Sequence, residues 1–478
     1  QTFDMVIVDE ASMAVVPAIM LVTNAAQRGA AIYGDFRQLP PVVIASTDMA
    51  RKWLATDIYT ACRIKGAAVR DEHDARLAML EEQYRMHPDI ADFCSELAYS
   101  GKLITPPDVA QATARLRSHP PAPDVSLVGW HTRRFGFRTR RDNLAKSRFN
   151  IETALLSFSF ARHILRSGAF QSVGIATPYR AQARLYSAFL ADCADDPDIR
   201  DRLVASTVHR FQGSESDVII LDLVDGPPLD EIGIPLRGGP ENDLSMRLIN
   251  VAVSRARAKV FVIGDVDHAE NGVEPGGPLR SLVQSVYTPP LTDLADWAPV
   301  RLSDDEVTWC GTQLGVETIL RQDLRGASDK LWVAWNGDRS EMWFLPELQD
   351  AASRKVGVTV FGHSDHIERY VGSIRNMKTV WSRPPSHQFI RVDDSISWLM
   401  PIEPTDHYKA VRFEGSRTAA ILPVSLGYAE ETVEQGRAIY GRRCRDCGDD
   451  MAMKWNGRFA AWACRQGHTA WATEEQTF

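Results

Sequence analysis

Val6-Ile7-Val8-Asp9-Glu10 sets an apolar run against two carboxylates almost at the start of the chain, and Gly34-Asp35-Phe36-Arg37-Gln38-Leu39-Pro40-Pro41 follows soon after. A buried parallel strand that ends in Asp-Glu places its first carboxylate to hold Mg²⁺ beside phosphates and its second to polarise an attacking water. A Gly-rich loop closing in Gly-Lys-Ser/Thr would be expected upstream, and the few residues before the strand contain none. Gln1 rather than Met opens the sequence, so the expectation is a fragment whose phosphate loop lies on the absent side and which by itself hydrolyses no nucleotide.

The 478 residues suffice for two to four cores, and 44% hydrophobic with 24% charged residues is ordinary globular usage. A net charge of −8 announces no global basic field, but a protein that grips single strands can keep its positive charge inside a channel. Of the seven cysteines, Cys444, Cys447 and Cys464 crowd the end of the chain, while Cys62, Cys94, Cys193 and Cys310 are scattered singly. That pattern suits a metal rather than a disulfide framework. No apolar stretch approaches the length of a membrane span, and a cytoplasmic protein is expected.

Up to about residue 290, short apolar runs such as Met5 to Val8, Ala30 to Tyr33, Val173 to Ala176, Val218 to Leu223 and Val260 to Ile263 alternate with helical stretches. Strands apolar on both faces and joined by crossovers imply a parallel sheet with helices on either side. The stretch from Thr288-Pro289-Pro290 to Ala298-Pro299 reads as a linker, a second α/β unit follows it, and a Cys-containing tail closes the chain.

After the two opening motifs come Gln83-Tyr84-Arg85-Met86-His87-Pro88 and Thr177-Pro178-Tyr179-Arg180-Ala181-Gln182. Ser206-Thr207-Val208-His209-Arg210-Phe211-Gln212-Gly213-Ser214-Glu215 and Asn250-Val251-Ala252-Val253-Ser254-Arg255-Ala256-Arg257 complete the series. In this order and spacing the series resembles the superfamily 1 helicases of the nonsense-mediated-decay helicase type, over roughly the first three-fifths of the chain. The resemblance implies ATP and Mg²⁺ as cofactors and single-stranded DNA or RNA as partner, with movement 5′ to 3′. It makes Asp9 and Glu10 the metal-holding and water-activating pair, Gln38 the sensor of the terminal phosphate, and Arg85 and Arg255 the arginine fingers. Gly34, Asp35, Gln83, Gln212, Gly213 and Glu215 would line the nucleotide, and Pro178, Tyr179, Thr207 and His209 would face the nucleic acid. The chain departs from the family at Ser12-Met13, where Gln is frequent after the acidic pair, and at His209-Arg210, where Asp-Ser is frequent. Neither departure touches phosphoryl transfer, but His209 bears on strand contacts or domain coupling.

Arg133-Arg134-Phe135-Gly136-Phe137-Arg138-Thr139-Arg140-Arg141 interleaves five Arg with two Phe. The mixture suits a phosphate backbone and stacked bases, and equally a solvated hairpin whose Phe side chains pack inward, the commoner case. In the tail, Cys444-Arg445-Asp446-Cys447-Gly448 and Cys464-Arg465-Gln466-Gly467-His468 offer three thiolates and an imidazole, a set for tetrahedral Zn²⁺ that resembles a zinc ribbon. A closed four-ligand shell makes the zinc structural. Trp455, Phe459, Trp462 and Trp471 read first as cover for that small core, with a nucleic-acid or protein contact as the other use.

Between motor and tail, Leu331 to Trp335, a helix from Glu347 to Arg354, Val356 to Phe361 and His387 to Asp394 resemble the phospholipase-D-like nuclease layout. Its motif is His-x-Lys-x4-Asp; His387 and Asp394 keep the spacing, but Phe389 stands in the place of the phosphate-binding Lys, and Ser397-Trp398-Leu399-Met400 replaces the usual Gly-Ser-x-x-Asn region. The readings are an inactive relative or an unrelated α/β domain with a chance His.

The expected fold is therefore α/β: RecA-like P-loop NTPase lobes, the first incomplete over 1–75 and the second over 76–287, a linker at 288–300, a degenerate phospholipase-D-like domain over 301–430 and a zinc ribbon over 437–478. The expected function is that of an ATP-dependent helicase or translocase on single-stranded nucleic acid, with room for protein partners on the C-terminal domains. The alternatives are a nucleic-acid-binding module that has lost catalysis and a helicase–nuclease fusion.

Overall fold

The computed structural model describes residues 2–41, 43, 45, 47–65, 74–142, 147–238, 243–289, 299–335, 342–362, 377–381, 387–402, 404–426, 442–443, 450–455, 460–464 and 469–471. They divide into two compact units: residues 1–130, 167–179 and 202–288 form the first, and residues 131–166, 180–201 and 289–478 the second.

The first unit opens with a parallel pair, Phe3–Val8 beside Ala26–Ile32, in register from Met5 on Gly29 to Val8 on Ile32. The helix Val16–Thr23 connects them and carries Pro17 in its first turn, where the missing N–H would have had no helical acceptor. Ala11, Val16, Ile19, Ile58 and Tyr59 make a small core beneath this pair. The first strand is not buried on both faces as its composition suggests: Met5 is 58% and Ile7 69% exposed. Its sheet has two strands and the helix covers one side, so alternate residues of the strand face outward.

A five-stranded sheet follows, in the order Leu127–His131, Ala256–Gly264, Ser216–Asp222, Val173–Thr177, Leu203–Thr207. The four strands from Ala256–Gly264 to Leu203–Thr207 pair in parallel. Here the apolar runs do mark buried strands: every residue of Val173–Thr177 and Ser216–Asp222 is buried. Helices Pro88–Ala98 and Leu244–Ser254 contribute Ile90, Cys94, Leu248, Ile249 and Val251 to the core against this sheet.

The second unit is built on a seven-stranded mixed sheet in the order Val307–Cys310, Ala410–Glu414, Ile396–Pro401, His387–Val392, Lys330–Ala334, Gly357–Gly362, Met377–Trp381. The first four pairings are antiparallel and the last two parallel. Leu320, Leu324, Leu331, Val333, Leu348, Val360 and Trp398 fill its core.

Helices Ile151–Arg166 and Arg180–Asp192 cluster with this sheet unit, so the expected boundary between 76–287 and 301–430 does not divide the compact units. Buried polar contacts account for the grouping. Arg162, fully buried, meets Asp304 at 3.1 Å and also Glu306, and removing either kind of partner would strand a buried charge. The Asp192 carboxylate accepts from the backbone N–H of Arg417 and of Thr418, each at 2.7 Å, and so satisfies the open N-terminus of helix Ser416–Ser425. Phe135 and Phe137 of the Arg-rich segment pack inward, Phe137 stacking on Trp309 at 6.2 Å, which is the solvated-hairpin reading for both rings.

The tail forms a four-stranded antiparallel meander, Arg442–Arg443, Asp450–Trp455, Ala460–Cys464 and Thr469–Trp471. Among the described residues no helix is long and apolar enough to cross a membrane.

Candidate active site

The acidic turn after Val8 is held in an unusual backbone. Glu10 sits at φ 51, the left-handed region that side chains with a Cβ seldom occupy, and its N–H donates to Asp9 Oδ1 at 2.8 Å. Such a conformation costs on the order of 1 kcal/mol or more and persists where the surroundings enforce it. They do so here: Ala11 N–H is anchored on Tyr33 O at 2.9 Å. Gly34 comes so close that a Cβ on it would lie 2.8 Å from Ala11 N and 2.9 Å from the Tyr59 hydroxyl. Both carboxylates stay exposed.

Asp35 organises the next motif. Its carboxylate accepts from Arg37 N–H at 2.8 Å and from Gln38 Nε2 at 3.0 Å, turning Gln38 Oε1 outward to accept from Arg255 Nη2 at 2.8 Å. Arg255 is 3% exposed at the end of helix Leu244–Ser254, and its Nε donates to Val251 O at 3.3 Å. Burial first, then the neighbouring Arg85, depress its pKa, yet a guanidinium keeps its charge at any physiological pH. Arg85 Nε donates to Glu215 Oε2 at 2.7 Å, and this bond holds the Glu215 carboxyl below its usual range. Gln212 Nε2 donates to Glu10 Oε2 at 3.0 Å, just before Gly213, whose φ of 86 lets the chain turn there. Glu10, Gln38, Arg85, Gln212, Glu215 and Arg255, scattered over much of the sequence, thus converge.

Four buried polar atoms around this convergence have no hydrogen-bond partner among the described residues: Ser12 Oγ, Tyr59 Oη, Gln212 Oε1 and Asn250 Oδ1. Buried polar groups are nearly always satisfied, so a set of orphans marks a place for a polar guest. Exposed carboxylate oxygens suit a hard divalent cation, and two guanidinium groups suit phosphate. The donor set therefore fits a nucleoside triphosphate with Mg²⁺. Tyr59 is pushed up to about 12 by burial and by Asp35, Asp57, Asp9 and Glu10, so its hydroxyl keeps its proton.

Other expected site residues are placed differently. Both ends of the Gln83 amide are spent on its own neighbourhood: Oε1 accepts from Arg85 N–H and Met86 N–H at 3.0 and 2.8 Å, and Nε2 donates to Met86 O and Thr105 Oγ1 at 2.9 and 2.7 Å. Gln83 shapes the loop that presents Arg85 and has no free group for a nucleotide. Pro178 and Tyr179 are buried, and the Tyr179 hydroxyl donates to Asp225 Oδ2 at 2.6 Å. A buried phenol needs a partner for its hydroxyl, and the Asp225 carboxylate supplies it. Thr207 is 8% exposed; His209 is half-buried, which lowers its pKa. Cys464 ends the strand Ala460–Cys464, while Cys444, Cys447 and His468 lie outside the described residues, as do the linker residues 290–298.

The sequence reading did not single out Ser12, Tyr59, Tyr99 or Asn250 as site residues. Asn250 had a signal, a polar amide inside the apolar helix Leu244–Ser254 that had to find a partner; Tyr99 had none.

Residues 67–267 match the AAA_12 family and residues 1–46 the AAA_11 family, both described as AAA domain. The chain is similar to the DNA polymerase alpha-associated DNA helicase A of Saccharomyces cerevisiae, 29% identical over 288 residues, covering 56% of this chain and 39% of the relative. It is also similar to the ATP-dependent helicase upf1 of Schizosaccharomyces pombe, 29% identical over 266 residues, with 55% and 27% covered. DNA-binding protein SMUBP-2 of Rattus norvegicus is 29% identical over 276 residues, with 56% and 25% covered. The chain spans about two-fifths or less of the length of these relatives. Among solved structures, the PRRSV helicase aligns with a TM-score of 0.25 at 16% identity, over 54% of this chain and 34% of that one. NucT from Helicobacter pylori aligns with a TM-score of 0.21 at 14% identity, over 26% and 90%. The two AAA-domain matches and the similarity to these helicases thus fall on the part of the chain that carries the converging residues.

Proposed function

We propose that the protein is an ATP-driven helicase or translocase on single-stranded DNA or RNA. The observation that carries this reading is the convergence of Glu10, Gln38 and Gln212 with Arg85 and Arg255. When bound, ATP with Mg²⁺ supplies the phosphoryl group whose hydrolysis drives the cycle. Glu10 Oε2 is the base that takes a proton from water, and Gln212 Nε2 fixes its orientation. Arg85 and Arg255 offer planar forks for equatorial oxygens, each held by a neighbouring side chain, Glu215 and Gln38. Asp9 is the expected metal ligand. In the full-length protein, ATP hydrolysis should rise at least about tenfold on adding a single strand, and a tailed duplex should be unwound. An ATPase indifferent to every nucleic acid would sink the reading.

The tail is proposed to be a structural zinc ribbon held by Cys444, Cys447, Cys464 and His468. Their spacing and the short meander in which Cys464 lies support this. Elemental analysis should find one zinc per chain, and Cys447→Ser should release it and unfold the tail alone, since metal binding energy is folding energy in so small a unit. Zinc retained in full by the Cys444→Ser, Cys447→Ser double variant would rule the site out.

The sheet unit around residues 301–430 is proposed to be a degenerate phospholipase-D-like domain without nuclease activity. A nucleophilic His must reach its phosphate, whereas the His387 side chain is fully buried with Nε2 on Glu152, itself buried and pushed up to about 7 by desolvation. Phe389, 1% exposed, brings an apolar ring in place of a cation. Asp394 is engaged by Lys330 at 2.9 Å and by Arg391 at 2.5 Å. Neither DNA nor RNA should be cleaved, with or without metal; metal-independent cleavage that disappears in His387→Gln would restore the nuclease reading. Extending the surface of the motor remains the use proposed for this unit. Of the basic groups suggested for it, Lys378 lies on the strand Met377–Trp381, and Arg375 and Arg383 lie outside the described residues.

A further inference from the structure

Tyr99 stands outside every motif quoted above, at the C-terminal cap of helix Pro88–Ala98. Its hydroxyl meets two partners at once: Asp35 Oδ2 at 2.5 Å and Asn250 Nδ2 at 2.8 Å. The directions follow from chemistry. A carboxylate can only accept, so the phenol donates to Asp35 and its lone pair receives the amide N–H of Asn250. Burial and the Asp35 charge hold the Tyr99 pKa well above its usual value, so the proton stays on the phenol. Asn250 Nδ2 also donates to Arg37 O at 3.2 Å.

These contacts close a ring. Asp35 holds Tyr99, Tyr99 holds Asn250, and Asn250 and Arg255 are carried by one helix and its first following residue; Arg255 holds Gln38, and Gln38 returns to Asp35 at 3.0 Å. Every link is a hydrogen bond or a short covalent segment, so the Asp35–Gln38 segment cannot shift without pulling on both Asn250 and Arg255. Two of the links belong to the phosphate sensor and an arginine finger of the proposed site; Tyr99 and Asn250 touch neither phosphate nor metal in that reading. Their chemistry is that of a brace.

We propose that Tyr99 is a positioning residue that ties the Asp35–Gln38 segment to the helix bearing Arg255, so that the state of the nucleotide site is felt by the second-lobe helix through its hydroxyl. This rests on the reading of the site as a nucleotide-driven motor. Tyr99→Phe keeps the ring and its packing and deletes only the bridge. In full-length protein, wild type should bind a fluorescent single strand with different affinity in the presence and absence of a non-hydrolysable ATP analogue. In Tyr99→Phe that ratio should shrink by about fivefold or more toward unity, while strand affinity without nucleotide stays within about twofold. Hydrogen exchange of the amides at 36–38, measured with no nucleotide, should quicken more than exchange elsewhere in the protein, and the melting temperature should fall by a few degrees, as loss of one hydrogen-bonded hydroxyl requires. A Tyr99→Phe protein with the full coupling ratio and unchanged exchange at 36–38 would overturn the brace. Loss of coupling with exchange quickened equally throughout the protein, and not selectively at 36–38, would also overturn it, as an effect of stability alone. Wild-type protein whose strand affinity ignores the nucleotide would instead sink the motor reading, and the exchange at 36–38 would still decide whether the bridge exists.

Discussion

Glu10→Gln is expected to abolish strand-stimulated ATP hydrolysis in the full-length protein, lowering kcat by on the order of 10² to 10⁴, the span of a lost general base. Strand and nucleotide affinity should stay within about twofold. The substitution is nearly isosteric, and the new amide can still present an oxygen to Gln212 Nε2, which now lies 3.0 Å from Glu10 Oε2. What it cannot do is take a proton. The backbone at φ 51 is no worse for Gln than for Glu, so the fold should be untouched. Steady-state turnover beside fluorescence-anisotropy binding separates the two effects; full-rate turnover by Glu10→Gln would remove Glu10 from the chemistry.

Arg255→Ala and Arg85→Ala should each lower kcat by on the order of 10³ or more, as loss of an arginine finger does in phosphoryl transfer. Arg→Lys should rescue either poorly, because an ammonium lacks the planar two-pronged fork. The two differ in what else they disturb. Arg255 is 3% exposed and satisfies Gln38 Oε1 and Val251 O, so its removal should also destabilise by about 1–3 kcal/mol through the acceptors it orphans. Arg85, with its side chain about a third exposed and paired to Glu215, should leave the melting temperature nearly unchanged. A kinetic loss common to both, with a stability loss confined to Arg255→Ala, is the expected signature. Near-normal kcat in both Ala variants would return the two residues to structural roles.

The meeting of distant motifs was legible in part: Glu10 with Gln212 and Gln38 with Arg255 are quoted from separate stretches of the chain and lie within hydrogen-bond distance of each other. The strands Val173–Thr177 and Ser216–Asp222 were legible because a strand buried on both faces has to be apolar throughout. The same rule misled at Phe3–Val8, where composition promised burial and a two-stranded sheet leaves Ile7 69% exposed. The burial of Tyr179 was not legible, because the partner of its hydroxyl, Asp225 at 2.6 Å, lies far along the chain.

The sequence alone determined the kinds of group available: an acidic pair at Asp9 and Glu10, two guanidinium forks at Arg85 and Arg255, a glutamine at Gln38, and a phenylalanine two residues after His387. Those follow from residue identity, which needs no coordinates. Only the tertiary structure decided which groups meet. It spent Gln83 on its own loop, sealed His387 against Glu152, grouped helix Ile151–Arg166 with the seven-stranded sheet through Arg162, and hung Tyr99 between Asp35 and Asn250. The physical reason is the same in each case: a polar group removed from water must take whatever partner the packing brings within about 3 Å, and sequence distance says nothing about which partner that is.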